Sequence, residues 1–153
     1  MVDFASILEK PSGQNNAPAS LPPGIYLAVC VNGELKERPT KNNPEGAPVW
    51  EAQFSIREPL DGVDQDELTE RGIDFSKKKV KHLFWLMENS LWVLDDDKSG
   101  VFVKAGLVKT GKSLGDLLQE MLGMGLKVQI TEQLTQDGER TWNGISKFFS
   151  VDG

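Results

Sequence analysis

The clearest pattern in the chain is alternation. From Val49 to Arg57 the apolar side chains Trp50, Ala52, Phe54 and Ile56 fall on one face, and Glu51, Gln53, Ser55 and Arg57 on the other, the period-2 signature of a half-buried strand. Upstream, Ile25 to Arg38 opens as a nearly continuous apolar run and turns polar through Asn32-Gly33, which predicts a first strand with a bulge or bend. Residues 39–48, PTKNNPEGAP, are loop by every turn rule. A third strand is predicted over Lys79 to Met87, with Val80, His82, Phe84 and Leu86 inward and Lys79, Lys81, Leu83, Trp85 and Met87 outward.

The second half of the chain changes period. Ser113 is placed to cap a helix through Leu122 whose Leu114, Leu117, Leu118 and Met121 share a face, and Gly123 and Gly125 stop it. Strands four and five are predicted at Leu126 to Leu134 and Arg140 to Phe149, joined by a hairpin turn at Gln136 to Glu139. Between strands three and four, Asn89 or Ser90 is the expected cap of a short helix carrying Leu91, Trp92 and Leu94; Gly100 breaks it, and Val101 to Val103, with strand propensity, belongs to a second short element. A helical turn or two is expected around Gln65 to Arg71. Pro11 to Pro23 reads as a mobile linker after an amphipathic turn at residues 3–9.

This order predicts a mainly β chain: an OB-like five-stranded antiparallel barrel with its helical region between strands three and four. A flexible segment over residues 1–20 would precede a single barrel domain over 21–153. At 153 residues, with four tryptophans and seven phenylalanines, one domain can build a core without staples. Cys30, the single cysteine, sits in an apolar run and reads as a buried, inert thiol in a reducing compartment. No stretch of the length of a membrane span occurs, Asp3 speaks against a secretion signal, and a cytoplasmic location is expected, with no membrane partner.

Charge adds a qualification. The net charge of −6 argues against indiscriminate duplex binding, yet it is uneven. Residues 1–75 carry 13 acidic and 6 basic side chains, and residues 76–153 carry 10 and 11, which leaves room for a local basic groove. Candidate chemistry is sparse. The one histidine, His82, falls on an apolar face, and one Cys with one His cannot form a structural zinc site. Asp95-Asp96-Asp97 reads as an exposed acidic turn. Gly106, Gly111, Lys112 and Ser113 match a phosphate-loop motif literally, but the β-α-β units that such a loop needs are missing. No catalytic residue, cofactor or metal is expected.

The remaining candidates are basic and aromatic. Lys77, Lys78, Lys79 and Lys81 run into strand three, where Lys79, Lys81 and Trp85 share a face. Lys36, Arg38 and Lys41 lead into the first loop, and Arg140 and Trp142 are expected to share a face of strand five. Cations that track a backbone and rings on which bases stack are what single-strand binders combine. Trp50, by contrast, falls in the core register.

Taken whole, the chain resembles a family of small bacteriophage replication- and recombination-region proteins related to phage single-stranded-DNA-binding proteins. The resemblance is carried by Asp3-Phe4-Ala5 with its polar linker, and by Leu21-Pro22-Pro23-Gly24-Ile25-Tyr26. It continues in Val49 to Arg57 with the acidic stretch after it, in Ser113-Leu114-Gly115 through Gly123, in Val128-Gln129-Ile130-Thr131 and in Asp137 to Asn143. It implies an OB-like barrel and DNA binding in the host-cell cytoplasm, with single-stranded DNA as partner, RNA as a second ligand, and self-association or replication and recombination proteins as further partners. Many such binders end in an acidic tail; here Ser150 to Gly153 holds one acid, so recruitment by a tail is not expected. The competing reading is a protein-interaction or regulatory module that uses the acidic 58–74 region.

Overall fold

The computed structural model describes Leu8 and residues 19–151. Five strands form one antiparallel sheet: β1 (Gly24–Arg38), β2 (Ala47–Pro59), β3 (Lys79–Trp85), β4 (Gly125–Leu134) and β5 (Thr141–Phe149), in the order β3-β2-β1-β4-β5. The long β1 is shared. Its first residues, Gly24 to Val29, pair with β4, while β2 follows it along nearly its whole length from Tyr26 to Arg38. Such a shared central strand makes the sheet curl, which brings its two edges, β3 and β5, face to face. No ladder joins these edges among the described residues. The seam between them is filled by side chains: Phe148 of β5 lies 5.1 Å from His82 and 5.4 Å from Phe84 of β3, ring centre to ring centre. The chain is therefore mainly β and OB-like, but the barrel is open at one seam.

The alternation predicted for β2 is observed: Trp50, Ala52, Phe54 and Ile56 are all buried, alongside Tyr26, Ala28 and Cys30 of β1 and Leu126, Val128 and Ile130 of β4. The bend at Asn32-Gly33 is a register shift between Cys30 and Asn32. Gly33 is required there by close approach, because a Cβ at that position would stand 2.3–2.6 Å from the Trp50 indole. Short helices accompany the sheet, α1 (Gln65–Arg71), α2 (Trp92–Asp95), α3 (Val101–Lys104) and α4 (Leu114–Glu120), with a 3-10 turn at Phe75–Lys77. Ser113 caps α4 by a reciprocal pair of hydrogen bonds with Asp116, and Leu117, Leu118 and Met121 enter the core.

Two expectations are corrected, and one is made definite. The second short element, residues 101–104, is helical: with Leu94, the side chains of Val101, Phe102 and Ala105 bury together at helical spacing, and that packing overrides β propensity. Gly100 permits the tight entry, since a Cβ there would meet the backbone of Leu94 and Asp96 at 2.5–2.6 Å. The helix at Trp92 begins at Leu91 without a side-chain cap, and the Ser90 hydroxyl instead donates to the carbonyls of Trp85 and Met87.

The linker ends earlier than Pro23. Residues 11–18 lie outside the described residues, but Leu21 and Pro22 are buried, and the Tyr26 hydroxyl donates to the Pro22 carbonyl at 2.6 Å. Asn143 of β5 brackets Leu21 with its amide, accepting from the backbone N–H at 2.7 Å and donating to the carbonyl at 2.9 Å. Ser20 meets Glu132 of β4, whose carboxylate also takes the Arg71 guanidinium at 2.5 Å, so this entry segment, α1 and β4 are tied at one point.

Candidate nucleic-acid interface

The registers of two ladders fix which side chains share the outer face of β1-β2-β3. Across the three strands the rows read Val29–Ser55–Lys79, Asn32–Gln53–Lys81, Glu34–Glu51–Leu83 and Lys36–Val49–Trp85, with Arg38 and Ala47 beyond. Opposed residues in an antiparallel pair point to the same side. Lys36, Arg38, Lys79, Lys81 and Trp85 thus belong to one face, as the alternation of strand three predicted for its own three members.

At the centre of that face lies a residue that the pattern analysis did not single out. Glu51 accepts from Arg38 at 2.9 Å and pairs with Lys36 at 3.0 Å and Lys81 at 3.4 Å, while Glu34 stands 3.5 Å from Lys36. The hydrogen bond from Lys36, then those from Arg38 and Lys81, hold the Glu51 carboxyl at a pKa of about 2. Its side chain is only 10% exposed. Convergence of these charges depends on register across both ladders, which no single strand's alternation specifies.

Three concavities follow one another along this face. The first, about 450 Å³, is lined by Val31, Ser55, Arg57, Phe75, Ser76 and Lys79, among others. A smaller polar one of about 130 Å³ lies over Asn32, Glu34, Lys36, Glu51, Gln53 and Lys81. The widest, about 730 Å³, opens under the β1–β2 loop between Thr40 to Asn43 and the end of β3, and is lined by Lys41, Trp85 and Met87. Hydrogen bonds between Thr40 and Asn43 close that loop on itself, and the Asn43 amide reaches the Met87 sulfur at 3.5 Å. Trp85 is half-buried and lines this widest groove. From Lys79 to Trp85 the face runs six residues, about 20 Å of strand.

The other predicted candidates lie apart. Lys77 is exposed in the 3-10 turn before β3, and its neighbour Lys78 is turned away, donating to the Ala19 carbonyl. Arg140 is not on β5 at all: its backbone closes the hairpin turn with Thr135, and Trp142 is the second residue of the strand, paired with Gln133. Trp142 is 47% exposed and lies against Gly144. Six residues of β5, again about 20 Å, separate it from Phe148 at the seam with β3. Trp50 is 4% exposed and belongs to the core.

Alternative chemistry is accounted for residue by residue. The Gly106–Ser113 stretch precedes a seven-residue helix and an antiparallel sheet, its Ser113 hydroxyl accepts from the Asp116 N–H, and Lys112 pairs with Glu120 at 2.7 Å. Asp95 and Asp97 hold Lys109 at 3.0 and 2.6 Å, while Asp96 accepts from the N–H groups of Lys98 and Ser99. His82 is packed edge-on against Phe84 and Phe148, and burial lowers its pKa to about 4. Burial raises the Cys30 thiol to about 11, far from a reactive thiolate. No helix among the described residues is long and apolar enough to cross a membrane. No protein-family model matches the chain, and a search of curated proteins finds none that matches it.

Proposed function

We propose that this protein is a non-catalytic single-stranded-DNA-binding protein of a phage replication or recombination system, and that the outer face of β1-β2-β3 holds the strand. The observation that carries the reading is the placement of Lys36, Arg38, Lys79 and Lys81 with Trp85 on one face, beside grooves that lead under the β1–β2 loop. In OB-type barrels the strand 2–3 face and the loop between strands one and two form the usual oligonucleotide surface. Here the ammonium and guanidinium groups take backbone phosphates and the Trp85 indole stacks one base, a contact worth ~1–3 kcal/mol. The flat, open grooves suit an unpaired strand whose bases are accessible, rather than a duplex.

Tryptophan fluorescence tests this directly. The parent and a Trp85→Phe variant are titrated with oligo(dT) at two salt concentrations. Quenching that weakens with salt in the parent, and loses most of its amplitude in the variant, supports the reading. Absence of quenching and of binding at low salt, where electrostatic attraction is strongest, overturns it and turns attention to the acidic 58–74 region, whose Asp61, Asp64, Asp66 and Glu70 are exposed, as a protein-docking surface.

A further inference from the structure

Glu51 presents a physical problem for any polyanion on this face. Its carboxylate is gripped by three cations from two other strands, Lys36 and Arg38 of β1 and Lys81 of β3. It is anchored on the middle strand with its side chain nearly covered, so it cannot swing aside. With a pKa of about 2 it stays charged under all ordinary conditions. In the free protein the carboxylate therefore stands where a backbone phosphate would stand, among the same donors. A second acid, Glu34, leans on Lys36 from the adjacent register row.

We infer that Glu51 is the affinity-limiting residue of this face: it stands in for a phosphate in the free protein, holding Lys36, Arg38 and Lys81 in place, and an incoming strand must share those donors with it. This rests on the proposed single-strand binding. Two effects of the carboxylate oppose each other. It pre-aligns three flexible cations, which favours binding, and it places one fixed negative charge within hydrogen-bond reach of the same groups, which disfavours it. The fixed charge wins, because the ladder positions of the three side chains survive without it, whereas the repulsion does not relax when the strand arrives. The consequence is a surface that binds loosely and exchanges readily, with Lys79, Lys41 and Arg57 at its flanks free of ion pairs among the described residues.

The experiment is an oligo(dT) titration of the full chain over a range of salt, comparing the parent with Glu51→Gln, which keeps the size and one acceptor oxygen while removing the charge. The expected result is binding roughly two- to fourfold tighter at low salt, the scale of one unit charge acting at about 5–8 Å through water. The slope of log affinity against log salt also steepens, by up to about 0.7 for each cation released to a phosphate. A Glu51→Gln protein that is folded but binds no tighter, with an unchanged slope, overturns the inference while leaving the parent's own binding intact. A parent that does not bind at all removes the function and this inference together. If Glu51→Gln fails to fold, Glu51→Ala replaces it, which also removes the charge. A gain in affinity then supports the inference, and no gain overturns it.

Discussion

At the scale of single residues, burial decides chemistry. His82 is the only histidine, and its position on an apolar face was legible from the alternation of β3. So was its neighbour Phe84, two residues on, but Phe148 was not, because it arrives from the far edge of the sheet. The consequence is a pH dependence. Burial lowers the folded-state pKa to about 4 against an ordinary value of 6.5. The unfolded chain therefore takes up the proton first, and the stability that neutral His82 supplies is complete above pH 6.5 and lost as pH falls toward 4. Between pH 6.5 and 4.5 this amounts to about 2 kcal/mol. Glu51, held at about 2, contributes its loss only below about pH 4.5, so the two windows barely overlap. Urea unfolding across pH 4.5–7 should show the upper loss in the parent and a much flatter profile in His82→Leu.

At the scale of elements, the strands were legible because each presents a long run at period two, and α4 because its apolar face and its cap agree. The region from Asn89 to Ala105 was not. Its helices are four residues long each, too short for periodicity to outweigh the β-branched Val101 and Val103, and their form is settled by what they bury against. The entry of the chain misleads for a related reason: Pro, Ser and Ala suggest a linker, while the bracket that fixes Leu21 lies 122 residues away on Asn143. Asn143→Ala would leave the Leu21 N–H and carbonyl without that partner at the start of the fold, at a cost of ~1–3 kcal/mol. Equilibrium unfolding measures it. A change below about 0.5 kcal/mol would show that water replaces the amide, as for ordinary surface substitutions.

At the scale of the whole molecule, a chain with a net charge of −6 carries a face with four cations against two carboxylates. The sequence showed the cations of β3 and those of β1 as separate clusters. Only the curl of the sheet and the two registers set them side by side, around a glutamate that no motif marks. Arg140 falls in the β4–β5 turn and Trp142 at the far end of β5, six residues from the seam, although both looked equivalent to Lys81 and Trp85 in the linear pattern. The central claim is therefore that one of these two basic-aromatic sets binds and the other does not. The deciding measurement is the salt dependence of oligo(dT) affinity for Lys79→Ala/Lys81→Ala beside Trp142→Ala. The account predicts weaker binding and a slope shallower by about 1.4 for the double lysine variant, at roughly 0.7 for each phosphate no longer neutralised, with Trp142→Ala unchanged. A double lysine variant that keeps the parent's affinity and slope, while Trp142→Ala loses binding, would contradict it and move the site to the β4–β5 hairpin.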